Sequence, residues 1–165
     1  MGLFEFSASQ RPFYYYWYPV ASLSIGSNGF ISFSNPQNIA SPFPIIPTAS
    51  GANDFIAPLL SDLTFTGINN PGRCYIDNHN MDSTIISYVD VPFWQLANPQ
   101  YTGANTFQII LCHIDSTIIF QYKSMSGITT GNDITIGIES VAGSIGLQHS
   151  QDTYPPFPYS IKFTP

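Results

Sequence analysis

The sequence predicts an all-β fold: a two-sheet antiparallel β-sandwich, jelly-roll-like, with about ten short strands and little or no helix. Three observations predict it. Apolar residues alternate with a period of two wherever a long window survives. Fourteen Pro and twelve Gly in 165 residues punctuate the chain so often that few windows could hold a helix of three turns. Charged residues make up only 8% of the chain, so solubility rests on Ser, Thr, Asn and Gln. That suits a β surface better than a helical one laced with Lys and Glu.

The elements follow in chain order. Phe13 to Tyr18 is an unbroken aromatic run, read as a strand over Tyr14–Tyr18 with rings on both faces. Leu23 and Ile25 alternate with Ser22 and Ser24, Asn28-Gly29 supplies the positive φ of a tight turn, and Ile31 and Phe33 continue the alternation. The stretch from Asn35 to Asn53 holds Pro36, Pro42, Pro44 and Pro47 and reads as an extended surface loop, lying over the aromatic strand. Strands follow at Phe55–Leu60, Arg73–Asp77 and Ile85–Val91.

Next, Phe107, Ile109, Leu111 and His113 share one strand face. After a turn at Ile114–Ser116, Ile118, Phe120 and Tyr122 share another, which makes a hairpin largely buried on both faces. Ile134/Ile136/Ile138, Ile145/Leu147 and Tyr159/Ile161/Phe163 complete the set. No composition shift or repeat divides the chain, so residues 1–165 form one domain, long enough to bury a core.

Charge excludes two classes of partner. Four Lys and Arg against ten Asp and Glu give a formal charge of −6, and Arg11, Arg73, Lys123 and Lys162 form no run. Nucleic acids and anionic membranes need clustered cations. No apolar stretch approaches the ~20 residues of a membrane-spanning helix, so membrane insertion is not expected. Met1-Gly2-Leu3 leads into Phe4-Glu5-Phe6 without a basic head and apolar stretch, and the chain is expected to be one module of a larger precursor.

Catalytic constellations are not visible. His113 falls in phase with core residues and reads as a hydrogen-bonded structural histidine, His79 as a turn residue, and His149 as the end of a strand. Glu139 lies on the polar side of Ile134/Ile136/Ile138 and reads as a solvated charge, not as half of a glycosidase pair. The chain is therefore expected not to be an enzyme.

Three features remain as binding candidates. Asp54 with Asp62, and Asp77 with Asp82, sit in loops whose oxygens suit Ca²⁺, the one cofactor with candidate ligands, although none is required. Tyr14, Tyr16, Trp17 and Trp94 are candidate stacking platforms for a sugar. Cys74 and Cys112, 38 apart without metal-type spacing, can form one disulfide or stay as two thiols, and the sequence leaves both open.

Five stretches also carry a likeness. They are Ile25-Gly26-Ser27-Asn28-Gly29-Phe30-Ile31-Ser32-Phe33, Asn53-Asp54-Phe55-Ile56-Ala57-Pro58 running to Asp62-Leu63, Tyr88 to Trp94, Thr106 to Met125, and Thr135 to Glu139. In this order they resemble the nidogen-like (NIDO) extracellular domain of bacterial surface proteins. Leu59-Leu60 stands where the family has bulkier aromatics, and the likeness thins beyond Ser140. The resemblance implies a non-catalytic adhesion or structural module at a cell surface or matrix. Its expected partners are other protein domains or further copies of itself, with glycans as an alternative, and a self-assembling coat or filament is a further one.

Overall fold

The computed structural model describes residues 2–6, 11–34, 38–66, 72–78, 81–127 and 133–165. Over these residues the fold is all-β, with no helix to cross a membrane. The strands are β1 (Gly2–Glu5), β2 (Phe13–Tyr15), β3 (Tyr18–Val20), β4 (Ser22–Gly26), β5 (Phe30–Ser32), β6 (Phe55–Leu60), β7 (Arg73–Asp77), β8 (Ser83–Trp94), β9 (Tyr101–Cys112), β10 (Ile118–Ser124), β11 (Thr135–Glu139), β12 (Gly146–Gln151) and β13 (Tyr159–Phe163).

Two antiparallel sheets form the expected sandwich. One is six-stranded in the order β1-β4-β5-β6-β11-β12, the other five-stranded in the order β13-β10-β9-β8-β7. The chain leaves the first sheet after β6, runs the meander β7 to β10, and returns to lay β11 beside β6. Period-two alternation fills the space between them. Phe107, Ile109 and Leu111 of β9, Phe120 and Tyr122 of β10, and Ile86 and Tyr88 of β8 meet Leu23, Ile31, Ile56, Ile136 and Ile138 of the other sheet. The hydroxyls of that core find acceptors: Tyr122 donates to the Pro58 carbonyl at 2.6 Å, and Tyr88 reaches the Gly26 and Phe30 carbonyls at 2.9 and 3.1 Å.

The outer faces of the two sheets differ. The Pro-rich segment lies across the six-stranded sheet as a strap, away from the aromatic run it was expected to cover. Its Ile39, Phe43 and Ile46 pack on Phe30, Phe55, Ala57 and Leu60 as a second small core. Side chains of β11 and β12 and of Asp133 tie its backbone down. The Phe43 N–H donates to Asp133 Oδ1 at 3.1 Å and the Ile46 N–H to Gln148 Oε1 at 2.8 Å, while Thr135 Oγ1 donates to the Pro44 carbonyl at 2.8 Å. Pro supplies no N–H, so an extended Pro-rich segment cannot extend a ladder and relies on such side-chain bonds. Among the described residues the five-stranded sheet has no such cover. Its outward residues Gln108, Ile110 and Cys112 are half-buried and Gln121 is exposed, so the β9–β10 hairpin is buried on one face, not on two.

Candidate functional site

The aromatic run is a hairpin, not one strand. Tyr15 pairs with Tyr18 across a two-residue loop of Tyr16 and Trp17, and Tyr16 stands at φ +53°. Gly, Asn or Asp usually fill that conformation, so composition gave no turn signal here. Alternation then sorts the rings. Phe13 and Tyr15 point inward, while Tyr14 is 50% and Trp17 60% exposed. Tyr15 anchors the hairpin: its buried hydroxyl accepts the Glu139 N–H at 3.0 Å and lies 2.8 Å from the Phe55 carbonyl, at the end of the β6–β11 pairing.

Tyr16 is half-buried, edge-on to Tyr15 at 4.9 Å and to Trp17 at 5.5 Å. Burial, with Glu139 nearby, pushes its hydroxyl up to about 12. These rings and the opposite wall enclose a cleft of about 290 Å³, lined by Tyr14, Tyr16, Trp17, Ile118, Leu147 and Phe163 among others. Leu147, on β12, is 55% exposed. The cleft brings together three of the four aromatic candidates. Trp94 is not among them: it ends β8 half-buried, paired with Tyr101, and its backbone N–H donates to the Asp62 carbonyl at 2.8 Å.

The carboxylate pairs do not assemble as expected. Asp54 precedes β6 and Asp62 follows it, which separates them by eight residues of extended chain, roughly 25 Å; they cannot share an ion. Asp54 is buried at φ +65° and accepts hydrogen bonds from the hydroxyls of Tyr18 and Ser34. Burial and the bond to Asp54 hold the Tyr18 hydroxyl well above its usual value. Asp62 lies near Asp133 instead, and burial first, then that neighbour, raises its carboxyl. Asp82 pairs with Arg11 at 3.4 Å, and Asp77 is exposed at the end of β7. His79 and Asn80 between them lie outside the described residues. Among the described residues no three His, Cys, Asp or Glu gather as a metal-holding group.

Cys74 and Cys112 are free thiols. They stand on β7 and β9 with β8 between, Cys74 in register with Tyr88 and Tyr88 with Phe107, five residues along from Cys112. Cys112 also faces outward, opposite to the inward side that Tyr88 and Phe107 share. A disulfide needs Cα atoms within about 7 Å, so the bridge is not formed. His113 is buried as expected: its Nδ1–H donates to the Arg11 carbonyl at 2.7 Å, and Nε2 bonds the Thr84 hydroxyl at 2.9 Å.

Glu139 departs most from expectation. It does lie on the polar side of its strand, but the strap covers that side, and its exposure is 0%. Oε1 accepts the Thr48 N–H at 2.6 Å, and the Asn53 amide donates to Oε2 at 3.3 Å. Burial raises its carboxyl to about 7, against the opposing Thr48 bond. A raised folded-state value means the folded chain holds more protons than the unfolded one between about 4.5 and 7. The stability this group contributes is thus present in full below about 4.5 and lost as pH rises through 7. The melting temperature is expected to rise on acidification from pH 8 towards 5, by an equivalent of up to about 3 kcal/mol. Glu139→Gln is expected to flatten that rise, as a pH series of thermal melts on both proteins would read.

A family model described as NIDO related matches residues 11–162. The chain belongs to the NIDO-related family. The match runs past Ser140, where the likeness read from motifs had thinned. No curated protein and no solved structure matches the chain. The stretches that carried the likeness are architectural in this NIDO-related domain: the β4–β5 turn, the entry to β6 with Asp54, the end of β8, the β9–β10 hairpin, and β11.

Proposed function

We propose that this NIDO-related domain is a non-catalytic module of an extracellular or cell-surface protein, and that it adheres to other proteins through the aromatic hairpin and its cleft. The observation that carries the reading is the outward placement of Tyr14 and Trp17 beside exposed Leu147. Large rings left open to water on a rigidly pinned hairpin are the usual anchors of contact surfaces. Tyr16 at positive φ holds Trp17 at the hairpin tip, and strained backbone of this kind gathers at functional sites.

The test is adhesion of beads coated with the domain to matrix-coated surfaces, alongside a glycan array. Tyr14→Ser with Trp17→Ser is expected to reduce adhesion at least tenfold, with the melting temperature little changed because both side chains are exposed. Undiminished adhesion of that variant would sink the reading. Hits on the array lost in the same variant would move the ligand class from protein to sugar.

A further inference from the structure

The outer face of the five-stranded sheet, uncovered among the described residues, carries ranks of side chains across its strands. One rank runs Asp77, Ile85, Ile110, Ile119 and Lys162, from β7 through β8, β9 and β10 to β13. The next runs Tyr75, Ser87, Gln108, Gln121 and Ser160 over the same strands. The first rank is antisymmetric, with an acid at one edge, a base at the other and three half-buried isoleucines between.

A surface that docks on a copy of itself must be self-complementary under a two-fold rotation. A two-fold parallel to the strands, passing over Ile110, lays β7 of one copy over β13 of the other. It sets Asp77 against Lys162 at both edges, Ile85 against Ile119, and Ile110 against its own copy. The second rank responds to the same operation. Tyr75, 57% exposed, falls over Ser160, where the face is hollowed by a cavity of about 660 Å³ reaching from Ser87 and Gln108 to Lys123 and Ser160. The hollow runs along this rank from Ser87, beside the knob, to Ser160 at the far edge, and the rotation sets Tyr75 over that far end.

We propose that this face is a self-association interface, on which two copies of the domain pack sheet to sheet about that two-fold. Charge, apolar surface and shape each match under the one operation. Strands ~4.8 Å apart and about six residues of each give a footprint near 20 Å by 20 Å. That is roughly half of the ~800 Å² per partner in a stable complex, so the dimer is weak and forms where copies are crowded. The Lys162 charge also acts on Asp115 within its own copy, so the isoleucines carry more of the association than the charges do. The interface is separate from the aromatic cleft, and its failure would leave the adhesion reading untouched.

Sedimentation of the full chain from about 10 μM to about 1 mM is expected to show monomer passing into dimer. Ile110→Glu, at a half-buried surface position, is expected to weaken the dimer at least thirtyfold while the near-ultraviolet circular dichroism stays unchanged. Asp77→Lys alone is expected to weaken it about three- to tenfold, and Asp77→Lys with Lys162→Glu to restore it to within about twofold. In a Cys74→Ser background, a short bis-maleimide is expected to join Cys112 of the two copies, since Cys112 lies on this face two residues from Ile110. A chain that stays monomeric near 1 mM overturns the proposal, and so does a dimer that Ile110→Glu leaves intact.

Discussion

Asp54→Ala is expected to destabilise the domain by about 3–5 kcal/mol and to lower its melting temperature by about 10 °C. The buried carboxylate accepts from two hydroxyls on separate segments, Tyr18 on β3 and Ser34 after β5. Its backbone continues the same junction, with the Asp54 N–H donating to the Ser140 carbonyl at 3.1 Å and the Phe33 N–H donating to the Asp54 carbonyl at 3.1 Å. Removing the carboxylate takes the acceptor from two half-buried hydroxyls, at up to about 1–3 kcal/mol each. Alanine also tolerates φ +65° less well than aspartate does. Asp54→Asn keeps that tolerance and one strong acceptor, so it is expected to lose about half as much. Denaturant titration of the three proteins gives both differences, and equal losses for Ala and Asn would contradict this account of the site.

Gly29→Ala is expected to be of similar size, about 3–5 kcal/mol, for a different reason. Gly29 closes the three-residue turn between β4 and β5 at φ +76°, and its N–H donates to the Gly26 carbonyl at 3.3 Å. A Cβ at this position would stand 2.1 Å from the Leu59 carbonyl oxygen and 2.9 Å from Leu63 Cδ1. Side-chain rotation could move Leu63, but Leu59 is backbone in a strand with neighbours on both sides. Relief requires the turn to lift from β6, which gives up the Leu59 N–H bond to the Gly29 carbonyl at 3.4 Å and the Ser61 N–H bond to the Asn28 carbonyl at 3.2 Å. Gly51→Ala serves as the control: it too has positive φ, but nothing lies within 4 Å of its Cβ position. The control is expected to cost only the backbone term, about 1–2 kcal/mol.

What was legible in the sequence is what acts locally. Alternation at Phe107–Leu111, Ile118–Tyr122 and Ile134–Ile138 marks strands because neighbours two apart share a face. Asn28-Gly29 marks a turn because one residue there needs positive φ. The aromatic hairpin escaped because Tyr16 adopts positive φ without a residue type that advertises it. Contacts between distant segments were harder still. The polar side of β11 reads as solvated until the strap, some 90 residues earlier, is seen to lie on it, and Glu139 changes from a surface charge to a buried acid. Asp54 and Asp62 look like neighbours in the sequence, yet an extended strand between them carries them apart. The same reasoning separates Cys74 from Cys112, since faces and register, not spacing, decide whether two thiols meet. Within the site, the residue types of the cleft were visible, but Ile118, Leu147 and Phe163, which complete it, come from three strands that sequence alone does not order.

The most direct measurement is acrylamide quenching of Trp17 in a Trp94→Phe protein, free and then bound to the matrix surface to which it adheres. If the aromatic hairpin is the contact surface, Trp17 is quenched freely in the unbound domain, and on binding it becomes protected and its emission shifts to the blue. A Trp17 that stays equally open to quencher in the bound state would contradict the account and place the contact elsewhere on the domain.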